Sequence, residues 1–156
     1  MRAVLVALLM VAGAAPAQAD DWGHYVDSKV GYEIDVPPGL VLRTPDYSIH
    51  VFESPTAALS TESHYQRPET FEADQIETNK VGQSDFHWNV LDAVVTPTSS
   101  KVLMVRGARQ VRIHTILLCG KSTSVRYWLE YSVVDAAIFA PIIARLDRSF
   151  RPTAAC

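Results

Sequence analysis

Residues 101–134 read KVLMVRGARQVRIHTILLCGKSTSVRYWLEYSVV, and the fold turns on whether this stretch is three strands or a strand, a phosphate loop and a helix. Three runs, KVLMVRG, RQVRIHTILLC and SVRYWLEYSVV, are rich in branched and aromatic residues, as strands are. In the second, Val111, Ile113, Thr115 and Leu117 alternate with Arg112 and His114; in the third, Val125, Leu129 and Val133 alternate with Arg126 and Glu130. The connections, Gly107-Ala108 and GKST, are too short for parallel crossovers, so the runs predict an antiparallel meander. KVLMVRG is apolar on both faces and is expected to be a central strand.

Gly120-Lys121-Ser122-Thr123 has the tail of a nucleotide-binding phosphate loop. Such a loop also needs a glycine five residues before Gly120, where Thr115 stands, and a helix after the Ser/Thr whose N-terminus faces the anion. Strand residues occupy both flanks here. GKST is therefore a hairpin turn.

Upstream, FHWNVLDAVVT before Pro97 predicts a fourth strand of the meander. Tyr32, Ile34 and Val36 alternate with Glu33 and Asp35 and stop at Pro37-Pro38-Gly39, a half-buried strand ended by two missing donors. Trp22 and Tyr25 precede it and cover an edge of the core. A further strand is expected at Ser48–Phe52, after a turn at Thr44-Pro45-Asp46. Acids early and a lysine late in FEADQIETNK suit a helix dipole and place a helix near residues 69–80, with Phe71 and Ile76 as its core contacts. TAALSTESHYQR before it leans polar and reads as a loop or short helical turn, the place for a loop-built binding site.

At the C-terminus Phe139, Ile142, Ile143, Leu146 and Phe150 recur at helical spacing, with Arg145, Asp147 and Arg148 opposite. Pro141 belongs in that helix's first turn, where its missing donor does no harm. The fold class expected is α+β, an antiparallel meander flanked by helices with a C-terminal helix packed on the sheet.

Residues 1–19, MRAVLVALLMVAGAAPAQA, have a charged start, an apolar run and a small-residue Ala-Gln-Ala end, the layout of a cleavable secretory signal. Cleavage after Ala19 leaves residues 20–156 as a single domain, periplasmic or secreted, with no further segment long enough to span a membrane. The whole chain carries a net charge of −3, and loss of Arg2 makes the exported part more negative. That balance argues against nucleic acid. Cys119 and Cys156 are the two cysteines. In an oxidising compartment they are expected to pair, closing a loop of about 38 residues and stabilising by roughly 3–4 kcal/mol.

The opening W-x-x-Y…VGYEIDVPPGL, the KVLMVRG strand and the ending YWLEYSVVDAAIFAPIIARLDRSF resemble a group of small exported bacterial proteins with the PsbP-like α/β/α sandwich. The resemblance implies a binding or interaction role more than catalysis.

The chemistry agrees with that implication. His24, His50, His64, His87 and His114 stand singly, with no His-Glu-x-x-His or Cys-x-x-Cys, so neither metal nor cofactor is expected. No Gly-x-Ser-x-Gly marks a nucleophile, and no catalytic residue is assigned. Trp88, Tyr127, Trp128 and Tyr131 are candidates for an interaction surface, since exposed aromatics anchor interfaces. The expected role is non-enzymatic binding of an envelope protein or an apolar, lipid-like ligand. The alternative is a small periplasmic hydrolase with a Ser/His pair oriented by an acid.

Two outcomes follow from the leader and the cysteines. N-terminal sequencing of protein secreted to the periplasm of a bacterial host should begin at Asp20. Thiol titration of the denatured, unreduced product should find no free thiol.

Overall fold

The computed structural model describes residues 21–45, 49–84, 86–120 and 122–154. The signal segment through Ala19 and Cys156 lie outside them. Cys119 is not a free thiol.

The chain builds two antiparallel sheets. The larger has seven strands: β3 (Val41–Pro45), β4 (Ile49–Glu53), β5 (Ala57–Tyr65), β6 (Asn89–Val95), β7 (Ser99–Arg106), β8 (Arg109–Leu117) and β9 (Thr123–Ser132), in the spatial order β3-β4-β5-β9-β8-β7-β6. Four consecutive strands form the expected meander β6–β9. The smaller sheet joins β1 (Gly23–Asp27), β2 (Tyr32–Val36) and β10 (Arg151–Pro152), with β2 in the middle. Helix α1 (Phe71–Ser84) follows a short 3-10 turn at Pro68–Thr70, and α2 (Ala136–Ser149) follows another at Val133–Asp135.

Register sorts the side chains of the large sheet. Directly opposed antiparallel residues share a face, so the pairs Tyr127↔His114, Leu129↔Arg112 and Thr61↔Tyr127 mark one face, and Trp128↔Ile113 and Met104↔Val111 the other. The first face packs against α2 and the small sheet. There Tyr32, Ile34, Leu59, Leu129 and Leu146 are fully buried, and Tyr131 stacks on Phe139 with ring centroids 4.5 Å apart. On the second face α1 lies chiefly over β6 and β7, above a smaller cluster of Trp88, Val102, Met104 and Val111.

The GKST segment closes the β8–β9 hairpin, as expected. Leu118 N–H donates to the Thr123 carbonyl (2.9 Å), and Gly120 takes φ +65°, a left-handed conformation that glycine adopts without strain. β9 then follows, with no helix to face an anion.

Several expectations are corrected. TAALSTESHY is not a loop: β5 pairs with both β4 and β9. Its alternation is genuine but carried by small and polar residues, Ala57, Leu59 and Thr61 being buried, and Thr61 is satisfied by a 2.7 Å hydrogen bond with the Tyr32 hydroxyl. β1 and β3 are additional strands; Thr44 and Pro45 lie in β3 rather than in a turn. β7 is the sixth strand of seven, and the central place belongs to β9. Ile76 is 43% exposed, leaving Phe71 as the buried anchor of α1. Helix α2 begins before the expected start, so Pro141 falls in its second turn. Pro141 and Ala137, whose carbonyl loses its donor there, are both exposed, so water can replace the bond.

Helix α2 presents Phe139, Leu146 and the following Phe150 to the sheet as its spacing predicts. Leu146 is fully buried, and Leu146→Ala should cost about 2–5 kcal/mol. Ile138, 64% exposed on the same helix, should tolerate alanine within about 0.5 kcal/mol. Urea unfolding of the two variants checks the contrast.

Candidate functional site

The two faces of the large sheet offer two arrangements of functional groups, one closed and one open. The closed one lies under α2. Asp147 projects toward β8 and β9 rather than toward solvent, a departure from the helical spacing that set it opposite the core. It accepts hydrogen bonds from Arg112 Nη2 (2.6 Å) and the Tyr127 hydroxyl (2.5 Å), and Lys101 Nζ stands 3.6 Å away. Arg112 and His114, the polar face of β8 in the alternation, are thus buried under a helix.

His114 also meets Ser99: Oγ and Nε2 are 3.1 Å apart. The order Ser99–His114–Asp147 is that of an acyl-transfer triad, and the hydrolase alternative required such an order in a cleft. The geometry departs from a working triad in two ways. His114 Nδ1 lies 3.2 Å from Asp147 Oδ1 but off the hydrogen-bonding direction, and this buried nitrogen has no aligned partner. The imidazole, 3% exposed, is packed against the rings of Tyr127 and Phe150 at centroid distances of 5.7 and 5.3 Å.

Electrostatics distinguish these groups further. Burial pushes the His114 pKa below its ordinary value, with the charges of Lys101 and Arg112 adding to the effect against the pull of Asp147. Burial would raise the pKa of Asp147, but the contacts from His114, Arg112 and Tyr127 outweigh it and hold the carboxyl far below the usual carboxylate range. Burial, followed by the neighbouring Asp147 charge, raises the Tyr127 hydroxyl well above a normal phenol. The carboxylate is thus shared among a cation, a phenol and the nearby imidazole.

The open arrangement lies on the other face. Helix α1 leaves a groove of about 430 Å³ between itself and strands β7, β8 and β9. Trp88, Met104, Ile113 and Trp128 supply its apolar lining, and Gln75 and Thr78 its rim on α1. The two indoles meet edge to face with centroids 6.0 Å apart. A second hollow of about 210 Å³ shares Gln75, Thr78, Thr115 and Arg126 with the first and runs on to His64 and Gln66. β5, expected as a loop-built site, thus contributes to the groove as a strand. At the other end the chain is held tightly. Trp88 N–H donates to the Gly82 carbonyl (3.2 Å), His87 takes a left-handed φ of 56°, and Phe86 is 59% exposed.

The four aromatics named from the sequence therefore divide. Trp88 and Trp128 come together in the groove. Tyr127 and Tyr131, 0% and 1% exposed, lie on the α2 face inside the main core and cannot form a surface. Alternation alone separates them from Trp128, because consecutive strand residues face opposite ways. Arg106, Ile113 and Gln75 line the groove without having been singled out; nothing in the sequence shows that α1 returns over β7. Among the described residues no group of three metal-ligating side chains converges.

Cyanobacterial PsbP from Synechocystis sp. PCC 6803 superposes with a TM-score of 0.64 at 12% identity, covering 91% of this chain and 98% of that one. The Saccharomyces cerevisiae Ran-binding protein Mog1p gives 0.58 at 12% identity, covering 86% and 97%. A Pseudomonas aeruginosa protein of unknown function, described as a putative regulator, gives 0.53 at 11%, covering 86% and 99%. No family model and no curated protein matches the sequence. The fold is PsbP-like, as the sequence resemblance implied. At such identities the likeness speaks for architecture alone.

Acid should weaken the protein in two stages. An unfolded His114 takes up a proton near its ordinary 6.5 that the folded one resists, so stability falls as pH drops below that value. Asp147 adds a second loss below 3.8, where its unfolded carboxyl protonates and the folded one does not. Asp147→Asn, which strands the buried Arg112 charge, should cost about 3–5 kcal/mol at neutral pH, and its deficit should shrink below pH 3.8. Urea titrations across pH check both stages. A serine-reactive fluorophosphonate should leave Ser99 unlabelled by intact mass, whereas labelling would favour the hydrolase.

Proposed function

We propose that the chain is an exported, non-enzymatic envelope protein that binds an apolar element of its partner or ligand in the groove beneath α1. One observation carries this reading: a concave hollow of about 430 Å³ whose lining includes Trp88, Trp128, Met104 and Ile113. Ligand sites are typically hollows of about 300–1,000 Å³ with apolar walls and a few convergent polar groups. The occurrence of the same fold in a Ran-binding protein supports a binding role for this architecture, without bearing on the partner. The leader supports export, and a Cys119–Cys156 bond would tie down the C-terminal tail in an oxidising compartment.

The groove contains no Ser–His pair among its lining residues, and the Ser99–His114 pair is on the opposite face of the sheet. Binding and the buried polar cluster are therefore separable by mutation. Thr78 is an exposed rim residue of α1, so Thr78→Trp should fill the mouth without disturbing the core.

The test is titration with an anilinonaphthalene dye followed by its emission and by tryptophan quenching. Native protein should bind the dye, and Thr78→Trp and Trp128→Ala should each weaken it about tenfold or more, with unfolding transitions confirming that both variants fold. Equal dye binding in native protein and Thr78→Trp would place the binding surface elsewhere.

A further inference from the structure

The groove's charges are unevenly matched. Three ionic side chains reach it: Arg106, Arg126 and Glu130. Two bring their own counter-charge. Arg126 donates through Nε and Nη2 to Glu62 Oε2 (3.1 and 2.6 Å), and Glu130 accepts from Arg109 Nε (2.9 Å). Arg106 has no carboxylate partner among the described residues. Its Nη1 donates to the Phe86 carbonyl (3.2 Å), and its guanidinium carbon stands 4.6 Å from the centroid of the Trp88 ring.

Those two contacts hold a planar cation over the aromatic end of an apolar hollow. Guanidinium has five N–H donors in a fixed fork, and one bond to a carbonyl leaves most of them for a ligand. The donors along the guanidinium edge match the two oxygens of a carboxylate. The loop carrying Phe86 and Trp88 is itself constrained by the left-handed His87 and the Trp88–Gly82 bond, so the cation is positioned before any ligand arrives. With Arg126 and Glu130 neutralised in pairs, the remaining charge of the groove is Arg106's single positive one.

We propose that the occupant is a small amphiphile with an apolar body and one carboxylate head, the body lying against Trp88 and Trp128 and the head paired with Arg106. This rests on the groove reading above and specifies its ligand. Size favours it over a protein surface, since a stable protein contact buries about 800 Å² per partner, whereas a hollow of about 430 Å³ suits a compact molecule. Charge separates it from a cationic amphiphile, whose head would meet Arg106 with no carboxylate free to receive it.

The experiment uses the full exported chain and three probes of equal chain length: decanoate, decanol and decyltrimethylammonium, titrated below their aggregation limits and read by tryptophan emission. Decanoate should bind about three- to tenfold more tightly than decanol, as one charge-assisted contact near solvent allows, and the cation most weakly. The decanoate preference should shrink as salt is raised. Arg106→Gln should bring decanoate to within about twofold of decanol while decanol affinity holds, and Arg106→Lys should restore part of the preference.

Equal binding of decanoate and decanol to native protein would overturn the carboxylate assignment and leave the groove reading standing. So would tightest binding of the cation, or a parallel loss of both decanoate and decanol in Arg106→Gln, which would reduce Arg106 to a brace for Phe86. Failure of all three probes to perturb the emission of a protein that still binds the dye would refute the amphiphile alone. Failure of the dye as well would refute the groove.

Discussion

A seven-stranded sheet has more surface than one short helix can cover, and the organisation of this protein follows from that mismatch. Six inter-strand gaps of about 4.8 Å make the sheet about 29 Å wide, whereas a helix with its side chains is about 10 Å across. On one face the deficit is met by α2 together with the small sheet β1-β2-β10, and the core there is complete. On the other, α1 packs chiefly on β6 and β7, and the sheet beside it stays partly open. Gly82 faces Met104 of β7: a Cβ there would meet Met104 Cε at 3.5 Å, an ordinary contact. The groove is what a sheet of this width leaves when a single helix covers one of its faces.

The same mismatch explains what could be read from the sequence. Strands β7, β8 and β9 announce themselves because they are dense in branched and aromatic residues, such as Val102, Val111, Tyr127 and Leu129, that are buried in the fold. β5 does not, although it lies beside the central strand, because its inward residues are Ala57, Leu59 and Thr61 and its outward ones are Ser60 and Glu62. Alternation without bulk gives little signal. Burial of Thr61 depends on a hydroxyl partner, Tyr32, supplied by the other sheet, and a contact across 29 residues leaves no local trace. β8 shows the converse. Its Arg112 and His114 look like a solvent face, and they are covered because Asp147 comes from a helix 35 residues later to meet Arg112.

The candidate site was legible in its components but not in its assembly. Trp88 and Trp128 were visible as aromatics on strands, and the period of two already separated Trp128 from Tyr127 and Tyr131. That Trp88 turns in from a loop to meet Trp128 edge to face depends on the path of the chain after α1, where His87 adopts a left-handed backbone that no residue-type preference demands. Arg106 ends β7 at the hairpin and reads as an ordinary surface cation until the path of Phe86 places a carbonyl within reach.

The Ser99–His114–Asp147 cluster and the α1 groove therefore lie on opposite faces of the sheet. Under α2 lie Ser99, His114 and Asp147, the one serine–histidine–acid sequence joined by close contacts among the described residues. The His114 ring is packed against Tyr127 and Phe150, and the carboxylate is engaged by Arg112. Replacing such a buried cluster by apolar side chains can be neutral for stability, while removing one member strands a charge; a cluster of this kind fixes how α2 seats on β8 and β9. On the α1 face the lining is different: an aromatic pair, and one cation lacking a carboxylate partner among the described residues. A catalyst needs its acid, base and nucleophile where substrate can reach them. Here the imidazole is packed beneath α2, and the groove opens on the other face of the sheet.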